Sequence, residues 1–285
     1  MKNILICHRG GLGDFVFTWP ALHCLKKAYP QYHVTGIGHL SYMTLAVSLG
    51  LLDGCHSIES SAMRDFFSGK AIPRHLGQPA GAVLWLTEAQ GIEALLKTTA
   101  TLPVVIIEPF PALKTHIAHY YCVAVQRHFP VDIPEKVLFE FSTGEKKGEY
   151  ALIHPGSGSV TKNYSPDVYL SIAGLLKKSG YDKTGFILGP AEQERGMEKY
   201  FVAEKTYKPG SVSELASLLQ SARLFIGNDS GVSHLSGMLG TPTMTLFKTT
   251  DPKIWGTIGK QVFNINTENA GDVLKCIKNL LRNFR

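Results

Sequence analysis

Short apolar runs rich in β-branched residues alternate along this chain with stretches whose apolar residues recur at helical spacing, and the alternation persists from one end to the other. In the first half the runs predict strands at residues 3–7, 33–37, 55–58, 82–86 and 104–107, with helices near 15–28, 43–49, 89–98 and 116–128. In the second half strands are expected at 151–154, 184–188, 224–227, 243–247 and 262–264, with helices between them and a last one over about 268–282. Strands that alternate with helices imply parallel sheets wrapped by helices, and here the pattern occurs twice. The polar stretch STGEKKGE, 142–149, reads as the linker, giving domains 1–143 and 148–285.

Composition narrows the picture without changing it. At 285 residues and 44% hydrophobic content the chain can bury two cores. The five cysteines stand without a CxxC pair, which indicates neither a zinc knuckle nor a disulfide framework. The N-terminal apolar stretch is too short for a signal peptide, and no run approaches the roughly 20 residues of a membrane span, so a soluble, cytoplasmic protein is expected, with at most peripheral contact with the inner face of the inner membrane. The excess charge of +6 lies wholly after residue 145, where a basic field would concentrate a small anionic ligand. The lysines are dispersed and no aromatic-basic motif accompanies them, which argues against nucleic acid.

Two turns in the second half carry the anion chemistry. Phe225 to Phe247 reads as a strand, an Asn-Asp-Ser-Gly turn, a compact helix, a Gly-Thr-Pro break and another strand. Asp229, Ser230 and Gly231 thus stand where backbone N–H groups and the positive end of a helix point outward, with Ser233 and His234 one turn on. His234 reads equally well as a ligand donor and as a packed residue. The second turn, HPGSGSVTKNYSP, offers Gly156, Ser157, Gly158 and Ser159 as donors and Lys162 as a mobile cation before a helix opening at Pro166. It is not a Walker loop, because no glycine precedes Lys162 and Asn163 replaces the magnesium-binding hydroxyl. Two such turns suggest a diphosphate held between them.

The first turn of the chain, HRGGLGDF, resembles a dinucleotide fingerprint but departs from it at Val16, and Gly36-Ile37-Gly38 stands where an acidic residue would follow the second strand. Asp14 alone is explained by the helix macrodipole, an effect of about 0.3–1 kcal/mol. The histidines His116 and His119 have a metal-compatible spacing but no third ligand accompanies them.

GLGDFVFTWPAL near the start, HPGSGSVTKNY in the middle, LGPAEQER at 188–195 and IGNDSGVSHLSGMLGTPTMTLFKTTDP near the end together resemble glycosyltransferase family 9, the ADP-heptose:lipopolysaccharide heptosyltransferases and their relatives. The resemblance implies a GT-B architecture, two Rossmann-like domains with parallel sheets facing across a cleft, the nucleotide sugar on the C-terminal domain and the acceptor on the N-terminal one. It implies an inverting transferase with no metal and no cofactor, its donor, ADP-heptose, being a substrate, and its acceptor a glycan or glycolipid of the lipopolysaccharide core. By position in the motifs Asp14 would be the base and Lys162 the cation on the leaving group. Gly13, Ser157, Gly158, Ser159, Asp229, Ser230, Gly231, Ser233 and His234 would surround the donor, with Glu192 or Glu194 on its ribose. Arg64, Lys70, Arg74 and Lys114 are the candidates for an anionic acceptor in a half that carries no net charge. The final helix would pack towards the N-terminal domain. Two alternatives stand beside this reading: a nucleotide-sugar-binding protein with little turnover, and a GT-B enzyme using a UDP- or GDP-sugar.

Overall fold

The computed structural model describes residues 2–112, 114–134, 141, 148 and 150–284. The chain divides into two compact units, residues 1–137 and 138–285. The expected linker, apart from Gly148, lies outside the described residues.

In the first unit β1 (Asn3–His8), β2 (His33–Gly38), β3 (Gly54–Ser57), β4 (Pro79–Trp85) and β5 (Val104–Ile107) form one parallel sheet in the order β3-β2-β1-β4-β5. The helices are α1 (Leu12–Ala28), α2 (Leu40–Ser48), α3 (Arg64–Phe67), α4 (Gln90–Lys97) and α5 (Ile117–Gln126). A parallel sheet is covered on both faces, which is why β1 reads as an unbroken apolar run whose Ile4, Leu5, Ile6 and Cys7 are all fully buried. Leu5, Cys7, Ile37 and Leu84 face the layer of α3 and α4 through Phe66, Ile92 and Leu96. On the other face Trp85 meets Tyr121 of α5 and His8 meets Phe15 of α1. Trp19 and Trp85 are core residues.

The second unit contains β6 (Tyr150–His154), β7 (Lys183–Ile187), β8 (Lys205–Tyr207), β9 (Leu224–Asn228), β10 (Thr243–Phe247) and β11 (Val262–Asn266). The order β11-β10-β9-β6-β7-β8, all parallel, is the 3-2-1-4-5-6 arrangement of a Rossmann fold when counted from β6. Its helices are α6 (Pro166–Lys178), α7 (Pro190–Glu194), α8 (Val212–Gln220), α9 (Gly231–Met238), α10 (Pro252–Trp255) and α11 (Ala270–Leu280). The pattern of apolar runs had not indicated β8, a three-residue edge strand of Lys, Thr and Tyr. The last helix, α11, lays Val273 and Ile277 into the core of its own unit beside Ile172 and Leu176 of α6. The order of connection reverses between the parallel neighbours β6 and β9, and the two turns expected to bind an anion follow the carboxyl ends of those strands.

Candidate active site

Asn228, the last residue of β9, ties the two turns together. It is fully buried, and its Nδ2 donates to the carbonyls of Pro155 (2.9 Å) and Gly156 (3.2 Å) and to Asn163 Oδ1 (3.1 Å). Its Oδ1 accepts from the Tyr169 hydroxyl of α6 at 2.8 Å. One amide thus fixes the loop after β6 to the strand beside it. Ser157, also buried, donates to Asn163 Oδ1 (2.7 Å) or to the carbonyl of Ser159 (2.6 Å). From outside, Arg195 clamps the same loop, Nη1 on the Ser157 carbonyl (2.9 Å) and Nη2 on that of Gly158 (3.2 Å). Gly158 and Ser159 remain exposed at the rim.

Asp229 follows Asn228 and is the electrostatic centre. Its Oδ2 accepts from Lys162 Nζ and from the Thr250 hydroxyl, both at 2.6 Å, and its Oδ1 lies 3.1 Å from His234 Nε2. Burial alone would raise its pKa, but His234, Lys162 and Thr250 outweigh it and hold the carboxyl well below the ordinary carboxylate range. Ser230 caps α9, its Oγ 3.5 Å from the Ser233 amide, so that Gly231 opens the helix at the positive end of the dipole. Ser233 is fully buried and donates its hydroxyl to the Asn228 carbonyl at 2.5 Å, which commits that proton to the turn.

At the end of β7 the N-cap Gly189 starts α7, and Glu192 at the third helical position reaches back to accept the Gly189 amide at 2.9 Å. Glu192 is buried, with Oε2 also 3.4 Å from His154 Nε2 at the end of β6. Its pKa, pushed up by burial, is brought below its usual value by His154 and the Gly189 amide. A Cβ on Gly156 would stand 1.7 Å from Glu192 Oε1, so only glycine lets the β6 loop lie against this carboxylate. Glu194 is exposed on the same short helix.

In the first unit Gly11 caps α1 and its amide donates to Asp14 Oδ2 at 3.2 Å, the same third-position arrangement seen at Glu192. Asp14 is half-buried, and its charge contributes, after burial, to raising the Tyr42 and Tyr121 phenols. Beneath the turn His8 is buried, its Nε2 has no hydrogen-bond partner, and burial lowers its pKa to about 4. A Cβ on Gly38 would come within 2.7 Å of the His8 carbonyl, which accounts for glycine at the end of β2.

The sequence pattern of glycosyltransferase family 9 (heptosyltransferase) matches residues 113–279, more than half of the chain. The chain belongs to glycosyltransferase family 9. It is 27% identical over 139 residues to lipopolysaccharide heptosyltransferase 1 of Escherichia coli K12 and 30% identical over 135 residues to lipopolysaccharide heptosyltransferase 3 of the same strain. These matches take in 48% and 44% of this chain; the chain spans only 40% and 38% of the length of those relatives. Over nearly whole chains it resembles a family 9 glycosyltransferase of Veillonella parvula (TM-score 0.81, 17% identity, 99% of this chain and 98% of that one). It also resembles the E. coli heptosyltransferase WaaC with ADP (TM-score 0.74, 17% identity, 100% of both chains). The fold is therefore the GT-B type with Rossmann-like units.

Within this family frame the structure brings together Lys162, Asp229, Ser230, Gly231, Ser233 and His234, and beside them Ser157 and Glu192. Gly13 and Asp14 lie in the first unit on α1. Arg64, Lys70, Arg74 and Lys114 are all exposed, the first three in the connection between β3 and β4. His116 caps α5, its Nδ1 accepting from the Ala118 amide at 3.2 Å, while His119 is exposed. Among the described residues no three His, Cys, Asp or Glu side chains are grouped to hold a metal ion, and no helix is long and apolar enough to cross a membrane. Sequence reasoning missed Asn228 as the tie between the turns, and also Thr250, Arg195, Thr257 and Lys248, whose Nζ donates to the Asn163 carbonyl at 3.1 Å. Thr250 and Lys248 stand inside the last quoted motif, but nothing in their spacing marks them.

Proposed function

We propose that this protein is an inverting, metal-independent glycosyltransferase that moves a heptose from ADP-heptose to a hydroxyl of a lipopolysaccharide-core glycan. The observation that carries the reading is the convergence, through Asn228, of the β6 loop with Lys162 and the amino end of α9 at the reversal point of the second sheet. On this reading the diphosphate lies against the Gly158–Ser159 rim, Lys162 and the Ser230–Gly231 amides, and Glu192 takes the ribose. Glu192 rather than Glu194 is chosen because only Glu192 turns inward beside the β6 loop. Asp229 already holds three donors on a carboxylate, so the ligand group that meets it is a further donor, a sugar hydroxyl, and not a phosphate.

Asp14 accepts the proton of the acceptor hydroxyl as the new C–O bond forms at the anomeric carbon and the bond to the phosphate oxygen breaks. The transition state has oxocarbenium character, and the nucleoside diphosphate departs with the electron pair. Lys162 and the amides of the turn stabilise the charge that gathers there. The exposed Arg64, Lys70, Arg74 and Lys114 would meet anionic groups of the acceptor. The reading is tested by melting the protein with ADP-, GDP- and UDP-sugars in the presence of EDTA and then assaying transfer to heptose-deficient lipopolysaccharide. Stabilisation by the ADP-sugar with EDTA present is expected; stabilisation by UDP-sugars alone would replace the donor assignment, and binding without turnover would favour a sugar-nucleotide-binding protein.

A further inference from the structure

A line of buried side chains runs from the middle of β10 to Asp229. The Thr245 hydroxyl donates to Thr257 Oγ1 at 2.9 Å, Thr257 Oγ1 lies 3.0 Å from His234 Nδ1, and His234 Nε2 lies 3.1 Å from Asp229 Oδ1. None of the four is more than 5% exposed. Asp229 is a carboxylate that can only accept, so Nε2 carries a proton. With a single ring proton, on Nε2, Nδ1 is an acceptor, and Thr257, whose oxygen already takes the Thr245 proton, supplies its own proton to that nitrogen. Each donor along the line thus finds an acceptor in a single direction.

Thr257 lies outside regular structure, yet both its backbone groups are hydrogen-bonded to β11. Its amide donates to Asn264 Oδ1 at 3.2 Å and its carbonyl accepts from Asn264 Nδ2 at 3.1 Å, so β11 grips it from both sides. The loop presses directly onto α9. A Cβ on Gly237 would meet the Thr257 methyl and the Ile258 carbonyl at 2.6 Å, and one on Gly259 would meet the Gly237 carbonyl at 2.3 Å. Glycines on both sides allow the close approach that brings Thr257 to the histidine. At the other end, Lys162 and Thr250 occupy Oδ2 of Asp229, while Oδ1 has His234 and retains a lone pair.

We infer that Thr257 is a positioning residue for the donor sugar: through His234 it fixes the direction in which Asp229 Oδ1 offers its remaining lone pair to a sugar hydroxyl. His234 therefore serves the donor through Asp229 rather than by touching phosphate. The inference rests on the function proposed above, and it separates recognition of the sugar from recognition of the nucleotide, which depends on the β6 loop and Glu192.

The test uses the full chain with Thr257→Val, nearly isosteric but without the hydroxyl, and Thr257→Ser, which restores it. Nitrogen-15 NMR of the wild type should show His234 protonated on Nε2 and not on Nδ1; a proton resident on Nδ1 alone would overturn the inference. Calorimetry with ADP and with ADP-heptose should show T257V losing about tenfold in affinity for the nucleotide sugar, the loss of one charged hydrogen bond, and less than about twofold for ADP. T257S should recover most of that loss. Equal losses for both ligands, or no loss in T257V, would overturn the inference and leave the proposed function standing. A wild type that binds neither ligand would remove both.

Discussion

His8 offers a direct physical test of the first unit, because the cost of burying a histidine without a partner is paid in protons. Its ring is 2% exposed, Nε2 has no hydrogen-bond partner, and burial takes its pKa from 6.5 to about 4. Between those values the unfolded chain binds a proton at this position that the folded chain does not, so stability rises with pH from about 4 to 6.5 and is lost as pH falls through the same window. The full difference corresponds to about 3 kcal/mol, and at pH 5 about 2 kcal/mol of it has gone relative to pH 7.5. In urea, with a slope of roughly 1–3 kcal/mol per molar, this is a midpoint shift of about 1 M.

The perturbation is His8→Gln, which cannot titrate, with His8→Phe as a second variant should the glutamine fold poorly. Trp19 and Trp85 report on this unit once Trp255 is replaced by Phe, since Trp255 lies in the second. Urea unfolding followed by fluorescence at pH 7.5 and 5.0 should give a wild-type midpoint that falls by about 1 M more than that of either variant. Other titrating groups cancel in the comparison. Parallel pH dependence in wild type and both variants would show that His8 gains its proton normally when folded, and the reasoning from its burial would fail.

Three further expectations concern the site. Asp14→Asn should lower transfer by about 10²–10⁴ while leaving ADP affinity within about twofold, measured by product formation and calorimetry; unchanged transfer would remove Asp14 from the chemistry. Gly156→Ala drives a methyl into Glu192, so thermal melts should show a loss of about 1–3 kcal/mol together with weakened ADP binding, and an unaltered affinity would separate Glu192 from the nucleotide. The folded pKa of Asp229 is depressed, so its contribution to stability is complete above the ordinary carboxylate range and is lost only as pH falls below it. Acid titration of the second unit should therefore show a slope below pH 4 that Asp229→Asn removes, and a D229N effect confined to pH 5–7 would contradict the ion-pair geometry.

The alternation of apolar runs was enough to read ten of the strands and the two-sheet plan, because a strand buried on both faces has to be continuously apolar. β8 escaped for the same reason: Lys205, Thr206 and Tyr207 at the sheet edge need no such run. The turns after β6 and β9 were legible from Gly, Ser and Asp near helix starts, whose effect on the backbone is local. Asn228 was not, since its work is to join Pro155, Gly156 and Asn163 across some 70 residues of sequence, and no local pattern records such a distance. Thr257 escaped likewise, lying beyond the last motif and acting through a histidine on another element.

The proposed function takes Glu192 rather than Glu194 for the ribose because Glu192 is the one buried against Gly156, while Glu194 is exposed. The same reasoning divides the carboxylates by task. Asp229 and Glu192 are both buried, both supplied with donors and both held below their usual pKa, which makes them good at binding donors and poor at taking protons. A base for an alcohol must gain by accepting a proton, and neither of these would. The two buried carboxylates beside the anion turns are thus the wrong kind of acid for proton removal, which gives independent weight to a carboxylate outside that network. Asp14, half-buried on α1 with Oδ2 accepting the Gly11 amide, is the carboxylate to which the proposed function gives that task.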